Sequence, residues 1–317
     1  MSGFGYRITD GKAERVSVKD ALTCHADLVW VHLSTTEAEA QKWLREEARL
    51  NDYVVDALTA TETRPRCEQF GHGALLNLRG RSTEPATTGD PLASVRVWAI
   101  KGRVFSVTRK PLYAVDAVVK EVEGGEVRDP GDLISEIATA ITEDLDPVVA
   151  DLGDELDACE EKLDPSAIFE LRRTVMRVRI GAIGYRRFLV PQRTALEKLA
   201  QLPGDWLAED DRLHLAAAAD RAARMAEELE SIRERAALLH ETLTDLRAEQ
   251  IDHRSLVISI VAVVFLPLTF ITGLYGMNVD GLPFQHSAHA FDWITIGCVL
   301  LGAGILGYFL RRHWFRH

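Results

Sequence analysis

Hydrophobic and polar positions follow three different rhythms along the chain. In residues 1–131 the apolar runs are short and separated by turn residues. Leu28–Leu33 (Leu-Val-Trp-Val-His-Leu) reads as a strand, after which Ser34, Thr35 and Thr36 offer N-caps to an amphipathic helix over Glu37–Leu50. Gly73–Arg79 is a second strand, and Ser94–Ile100 with Arg103–Thr108 forms a hairpin around Lys101-Gly102. The Thr/Pro/Gly/Asp-rich stretch from Ser82 to Leu92 is a loop. This first region is a mixed α/β domain. From Asp132 the strand signals stop and long helical patterns take over, with breaks expected at Pro147, Pro165, Pro191 and Pro203. After Pro203 no proline occurs until Pro267, which permits one very long helix running through a helical stalk region (132–253) into a C-terminal region (254–317).

Two apolar runs dominate that last region. Leu256–Leu274 has no charged residue, and Phe291–Leu310 has only Asp292 at its edge. Each holds about 20 residues, enough as a helix to cross a hydrocarbon core of roughly 30 Å. The reading is a transmembrane pair, at about 256–274 and 291–310, joined by an outer loop over 275–290. Arg254 precedes the first run and Arg311, Arg312 and Arg316 follow the second, whereas the connecting loop has no Lys or Arg. By the positive-inside rule both termini face the cytoplasm. Met1–Arg15 contains no apolar h-region, so no signal peptide is expected.

The long helix carries two lines of residues, each stepping alternately by four and three. One is Ala218, Ala222, Met225, Leu229, Ile232, Ala236, Leu239, Leu243 and Leu246, a heptad packing face. The other, nearly opposite, is Glu227, Ser231, Glu234, Leu238, Glu241, Asp245, Ala248 and Asp252. It continues in the same rhythm through Ser255, Ser259, Ala262, Leu266, Thr269 and Gly273. Acids occupy this line before the membrane, and small or hydroxyl residues occupy it within. Arg233, Arg235, Arg247 and Arg254 all fall off it. Taken alone, the acids describe a solvated helix face and the small residues close helix–helix packing. Their continuity on one line points instead to the wall of a water-filled pore. Asp252, an ionisable group at the inner membrane edge, is its leading functional candidate. Two helices cannot enclose a channel, so a pore requires several copies with cyclic symmetry.

Composition narrows the classes. The formal net charge is -11 and the sequence pI about 5.4, which argues against nucleic-acid binding, because phosphate neutralisation needs clustered Lys and Arg. The four cysteines, Cys24, Cys67, Cys159 and Cys298, are dispersed, so neither a disulfide framework nor a structural zinc site is expected. No P-loop, nucleophile elbow or dinucleotide fingerprint occurs, and the chain does not read as an enzyme or as a cofactor protein.

Tyr275-Gly276-Met277-Asn278 follows directly on the first apolar run. Glycine permits a tight turn at the helix end, and a ring of Asn278 carbonyl oxygens could hold a cation through its waters. With the preceding Phe265-Leu266-Pro267-Leu268-Thr269-Phe270 and the two C-terminal helices, this loop resembles the CorA family of divalent-cation transporters. The resemblance is densest over the last 70 or so residues. It implies an inner-membrane, funnel-shaped homopentamer. A cytoplasmic α/β domain would be followed by a central pore lined by the first membrane helix, with Asn278 as the outer ring and Thr269, Leu266, Ser259, Ser255 and Asp252 below it. Val279-Asp280-Gly281-Leu282-Pro283-Phe284 stands where the family's magnesium channels carry an acidic Met-Pro-Glu element, and its Asn-Val-x-Gly-x-Pro pattern resembles the ZntB zinc-transporter branch. Leu75–Gly80 and Glu62-Thr63-Arg64-Pro65-Arg66 resemble that branch too, although Asp280 replaces its usual Gly. The implied cargo is Zn2+, with coupling to protons. The alternatives are a magnesium, cobalt or nickel channel of the same family, or a membrane-anchored coiled-coil scaffold or sensor without a pore.

Three further features carry weaker expectations. His286 and His289, with Asp280, could capture a metal at the outer mouth, since imidazole is a good zinc ligand; unliganded surface histidines look the same. Cys67 and His72 flank a strand start without further close ligands. The acidic stretch Glu143–Asp164 reads as a solvated helix face rather than a regulatory cation site.

Overall fold

The computed structural model describes residues 2–23, 25–34, 37–61, 64–84, 91–164, 167–204, 206–277, 281–283 and 287–314. These fall into two compact units: Met1–Leu163 with Phe169–His240, and Asp164–Ile168 with Glu241–His317.

The first unit is built on a seven-stranded sheet in the order β2-β1-β3-β7-β6-β5-β4. Its strands are β1 (Ser2–Thr9), β2 (Lys12–Val16), β3 (Leu28–Ser34), β4 (Arg66–Phe70), β5 (Gly73–Arg81), β6 (Leu92–Ile100) and β7 (Arg103–Thr108). Every pairing is antiparallel except β3 with β7. β5 and β6 are buried along nearly their whole length, as the centre of a sheet covered on both faces requires. On one face α2 (Glu37–Glu46) and α3 (Asp52–Thr59) close a core that includes Val31, Trp43, Leu58, Trp98 and Phe105.

The other face holds a buried polar knot. Trp30 Nε1 donates to Ser106 Oγ at 2.8 Å, and His32 Nδ1 lies 2.8 Å from the same hydroxyl. Thr108 Oγ1 sits 3.3 Å from His32 Nε2. The Ser106 hydroxyl accepts from Trp30 and has both a proton and a second lone pair to offer Nδ1, so either neutral tautomer of His32 can be satisfied here. Burial pushes the His32 pKa down to about 4.

The expected strands β3 and β5 and the β6–β7 hairpin are present. The long helix expected at Glu37–Leu50 ends at Glu46, and a second short helix, α3, follows once Asn51 caps it by accepting from the Tyr53 amide. β1, β2, β4, α1 (Val18–Thr23) and α4 (Tyr113–Gly124) add to the expected elements. β1 and β2 turn on Asp10 and Gly11, both at positive φ, so the Asp-Gly pair was a readable hairpin signal.

The expected proline breaks are corrected at two positions. α5 (Pro130–Glu161) runs through Pro147, and α6 (Ile168–Ala200) runs through Pro191. An interior proline forfeits one backbone bond and crowds the carbonyl four residues earlier. Pro147 lies on the exposed side of the helix. Leu145, Val149 and Leu156 keep the buried face in phase on either side, so packing outweighs the local cost. Pro165 lies outside the described residues, and Pro203 falls in the irregular stretch between α6 and the helix that follows.

In this unit α7 (Glu209–Tyr275) buries the expected ladder: Ala218, Ala222, Met225, Leu229, Ile232, Ala236 and Leu239 are all inside. α5 is tied to it by Arg221–Glu143 at 2.7 Å and by Arg235, which reaches Glu160 at 2.6 Å and also Asp157. α6 is tied to it by Arg186–Glu230 at 2.9 Å.

In the second unit the remainder of α7 and α8 (Ala290–Trp314) are long and apolar enough to cross a membrane. Between them Gly276 ends α7, its amide donating to Thr272 O at 2.9 Å.

Candidate ion pathway along α7

The membrane part of α7 shows which side α8 takes. Half-buried positions on α7 are Leu256, Ile260, Val264, Pro267, Leu268, Ile271 and Tyr275, and those on α8 include Ile294, Cys298, Gly302 and Ile305. These are stripes at helical spacing, and they meet: a Cβ on Gly302 would lie 3.8 Å from Leu268 and 3.9 Å from Val264. The line Ser255, Ser259, Ala262, Leu266, Thr269, Gly273 runs nearly opposite this seam at 3.6 residues per turn. All six positions are exposed, as is Asp252. Its small residues are therefore not the seat of α8.

One hydroxyl on this line is anchored: Ser259 Oγ donates to Ser255 O at 2.8 Å. Beside the line, Thr272 Oγ1 donates to the carbonyl of Thr269 at 3.2 Å. A hydroxyl that donates back to its own helix leaves its oxygen lone pairs turned outward as acceptors, the polarity a passing hydrated cation needs. Pro267 has no amide to offer the Val263 carbonyl, which removes one rung from the helix at the same depth.

N-terminal to the membrane segment, Glu227, Glu234, Glu241 and Asp245 are exposed on α7. They are less bare than the arginine positions on α7 alone suggest. Arg233 Nη2 lies 3.7 Å from Glu234. Arg193 of α6, whose pKa is raised chiefly by its hydrogen bond to Glu197, also feels the charge of Glu227. That second influence was invisible in the spacing of α7, because it comes from another helix.

At the C-terminal end of α7, Tyr275 is half-buried and Gly276 and Met277 are exposed, Met277 at 53%. Asn278 and Asp280 lie outside the described residues, and so does His286. His289 is exposed, and its carbonyl accepts from the Trp293 amide at 3.1 Å as α8 begins.

Cys67 is buried in β4, its thiol pushed up to about 12 by burial, whereas His72 sits exposed in the turn after that strand. The acids of Glu143–Asp164 are partly engaged: Glu143, Glu155, Asp157 and Glu160 meet arginines. One cluster escaped the sequence reading. Carboxylate oxygens of Asp129, Asp132 and Asp211 lie within 4.8 Å of one another, where the first turns of α5 and α7 meet. Asp129 caps α5 by accepting from the Gly131 and Asp132 amides. Asp211 accepts from the Ala208 amide at 2.7 Å, and burial, helped by the other two aspartates, raises its pKa to about 6. All three are spent on helix starts, and they lie far apart in sequence, so no local motif announced them.

A family model described as "CorA-like Mg2+ transporter protein" matches residues 25–312. The chain is 33% identical over 291 residues to the divalent cation transporter CmaX of Pseudomonas aeruginosa, covering 91% of this chain and 86% of that protein. It is 28% identical over 313 residues to the zinc transport protein ZntB of Yersinia enterocolitica, covering 98% and 95%. The solved structure of full-length CmaX superposes with a TM-score of 0.78 at 30% identity, covering 98% of each chain.

Proposed function

Because this chain belongs to the CorA family of divalent-cation transporters, a family of membrane transporters and not of enzymes, we propose that it carries Zn2+ through a central pore lined by α7. The observation that carries this reading is the exposed line on α7. From Glu227 through Asp252 to Gly273 each position is uncovered, and α8 packs on the opposite side. A line of hydroxyl, small and acidic groups left open by its own protomer is suited to face water along a shared axis. Closure takes several copies arranged cyclically, and five is the number the family resemblance implies.

In this proposal Asn278 of each copy contributes a neutral oxygen to the outer ring, and Gly276 provides the turn that brings it there. Thr269, Ser259 and Ser255 present acceptors to the ion's waters below it, with Leu266 as the narrow apolar step. A divalent ion that passes with its hydration shell kept needs acceptors for its waters rather than tight ligands. Asp252 and the acids below it concentrate cations at the inner mouth. Arg254 and Arg311 flanking the two spans support cytoplasmic termini. His289, with His286 and Asp280, would supply a weak capture site outside.

Zinc is favoured over magnesium by Val279-Asp280-Gly281-Leu282-Pro283, which lacks the acidic element of the magnesium channels, and by ZntB as a relative matched over nearly the whole chain. The test is flux into proteoliposomes with Zn2+ and with Mg2+, each with and without a pH gradient. Zinc flux that rises with an imposed proton gradient is expected. Magnesium flux without zinc flux would overturn the zinc assignment. Full zinc flux in an assembled Asn278→Ala variant would overturn the ring, and no metal flux at all would leave a scaffold or sensor as the better reading.

A further inference from the structure

α6 is buried along one side, yet a second line on it stays open. Phe169 is 76% exposed, Ile180 62%, Ile183 48%, Val190 43% and Met176 38%. Together with Arg173 and Arg187 these residues step by three, four or seven, the rhythm of helix-on-helix packing by knobs into holes. A run of large apolar side chains on an otherwise solvated surface marks an interaction site. Charge says which helix fits. α6 carries seven arginines and one lysine against two glutamates, whereas α5 carries eleven acids and no base. Within a protomer part of that charge is matched where Arg177 grips Glu155 and Leu152 packs within 3.3 Å of the Cβ position of Gly181. The outer face of α5 remains acidic and small: Asp146, Asp154 and Glu161 are exposed there beside Pro147 and Ala150. That face cannot fold onto the open stripe of its own α6, because the two helices already meet along the Leu152–Gly181 edge.

We propose that the open stripe of α6 docks against the outer acidic face of α5 in a second copy of this chain. A contact between two different faces is heterologous, and it gives a ring where the rotation closes and an open filament where it does not. With the ring axis along the helices, every residue stays level with itself in the next copy. α5 and α6 are antiparallel, with Glu155 level with Arg177 and Leu152 level with Gly181. The same levels carry across the contact. Arg187 comes level with Asp146, Ile183 with Ala150, and Arg173 lies near Glu161. The small residues of α5 leave room for the isoleucines of α6, and opposite charges bracket them at both ends.

The test is disulfide trapping in the detergent-solubilised full-length chain, with Ala150→Cys and Ile183→Cys made singly and together. The expected result is a ladder of covalent dimers and higher oligomers in the double variant that neither single variant gives. In that background Arg187→Glu or Asp146→Arg should weaken the ladder, and the two reversals combined should restore it. Three results would overturn the proposal: no ladder, a ladder as strong from Ile183→Cys alone, or a ladder indifferent to both charge reversals. Zinc flux that persists while no ladder forms would sink this contact and leave the transport reading standing.

Discussion

Acidification should loosen the first unit through a single side chain, His32. The residue is 4% exposed, and among the described residues its ring meets the Ser106 and Thr108 hydroxyls and the stacked Phe4 ring, with no carboxylate paired to it. Burial lowers its pKa from 6.5 to about 4. The unfolded chain therefore takes up a proton near pH 6.5 that the folded chain refuses until about pH 4, and stability falls as pH drops through that window. A shift of about 2.5 units corresponds to about 3 kcal/mol at the acid end, with about 2 kcal/mol of it lost by pH 5. Asp211 works in the opposite direction. Its folded pKa, raised from 3.8 to about 6, means the folded chain binds a proton first, so its burial penalty is relieved as pH falls below 6. The two partly cancel, so the raw pH profile of the wild type is uninformative and the comparison must be made with a variant. His32→Gln removes the titration and keeps an amide in the pocket. Guanidinium unfolding of the solubilised chain, followed by tryptophan fluorescence between pH 7.5 and 5, should show the wild type losing about 2 kcal/mol more than His32→Gln over that range. Parallel profiles for the two proteins would refute the assignment of a neutral, buried imidazole.

Three further outcomes are expected. Gly131→Ala places a Cβ 1.9 Å from Asp211 Oδ2. It should destabilise the first unit by several kcal/mol, about 3 or more, read as a lowered unfolding midpoint. Gly302→Ala, with its Cβ at ordinary contact distance from Leu268 and Val264, should be tolerated, whereas Gly302→Leu should pry α8 from α7 and reduce the yield of folded protein in membranes. Ser259→Leu lies on the exposed line of α7 away from the α8 seam, so it should leave folding and yield intact while strongly reducing metal flux in proteoliposomes; unchanged flux would count against the pore face.

The second half of the chain was more legible than the first, for a physical reason. A heptad repeated from Ala218 to Leu246 and apolar runs of membrane length are redundant signals, each restated over many turns. The uncovered line on α7 could be read because it shares that phase. In the α/β region β3, β5 and the β6–β7 hairpin carried runs of branched residues, but β2 and β4 are short edge strands with mixed polarity, and α3 and α4 are brief. Pro147 and Pro191 misled because a local rule was outweighed by packing on the far side of the helix. The partners of the acids were hidden for a different reason. Arg193 beside Glu227 and Asp211 beside Asp129 are joined only by tertiary folding, and spacing along one helix cannot report them.

The parallel pairing of β3 with β7 has a consequence for the order in which the molecule is made. β1, β2 and β3 leave the ribosome early and can pair among themselves, but β3 then presents an open edge until Arg103–Thr108 has been synthesised. Contacts of such long sequence separation form slowly, and an unpaired edge invites wrong partners. Once Thr108 is out, the sheet has all its strands, and Leu256, the first residue of the first apolar run, is still far from emerging. The chain can thus complete its sheet before its most aggregation-prone segments reach solvent or lipid.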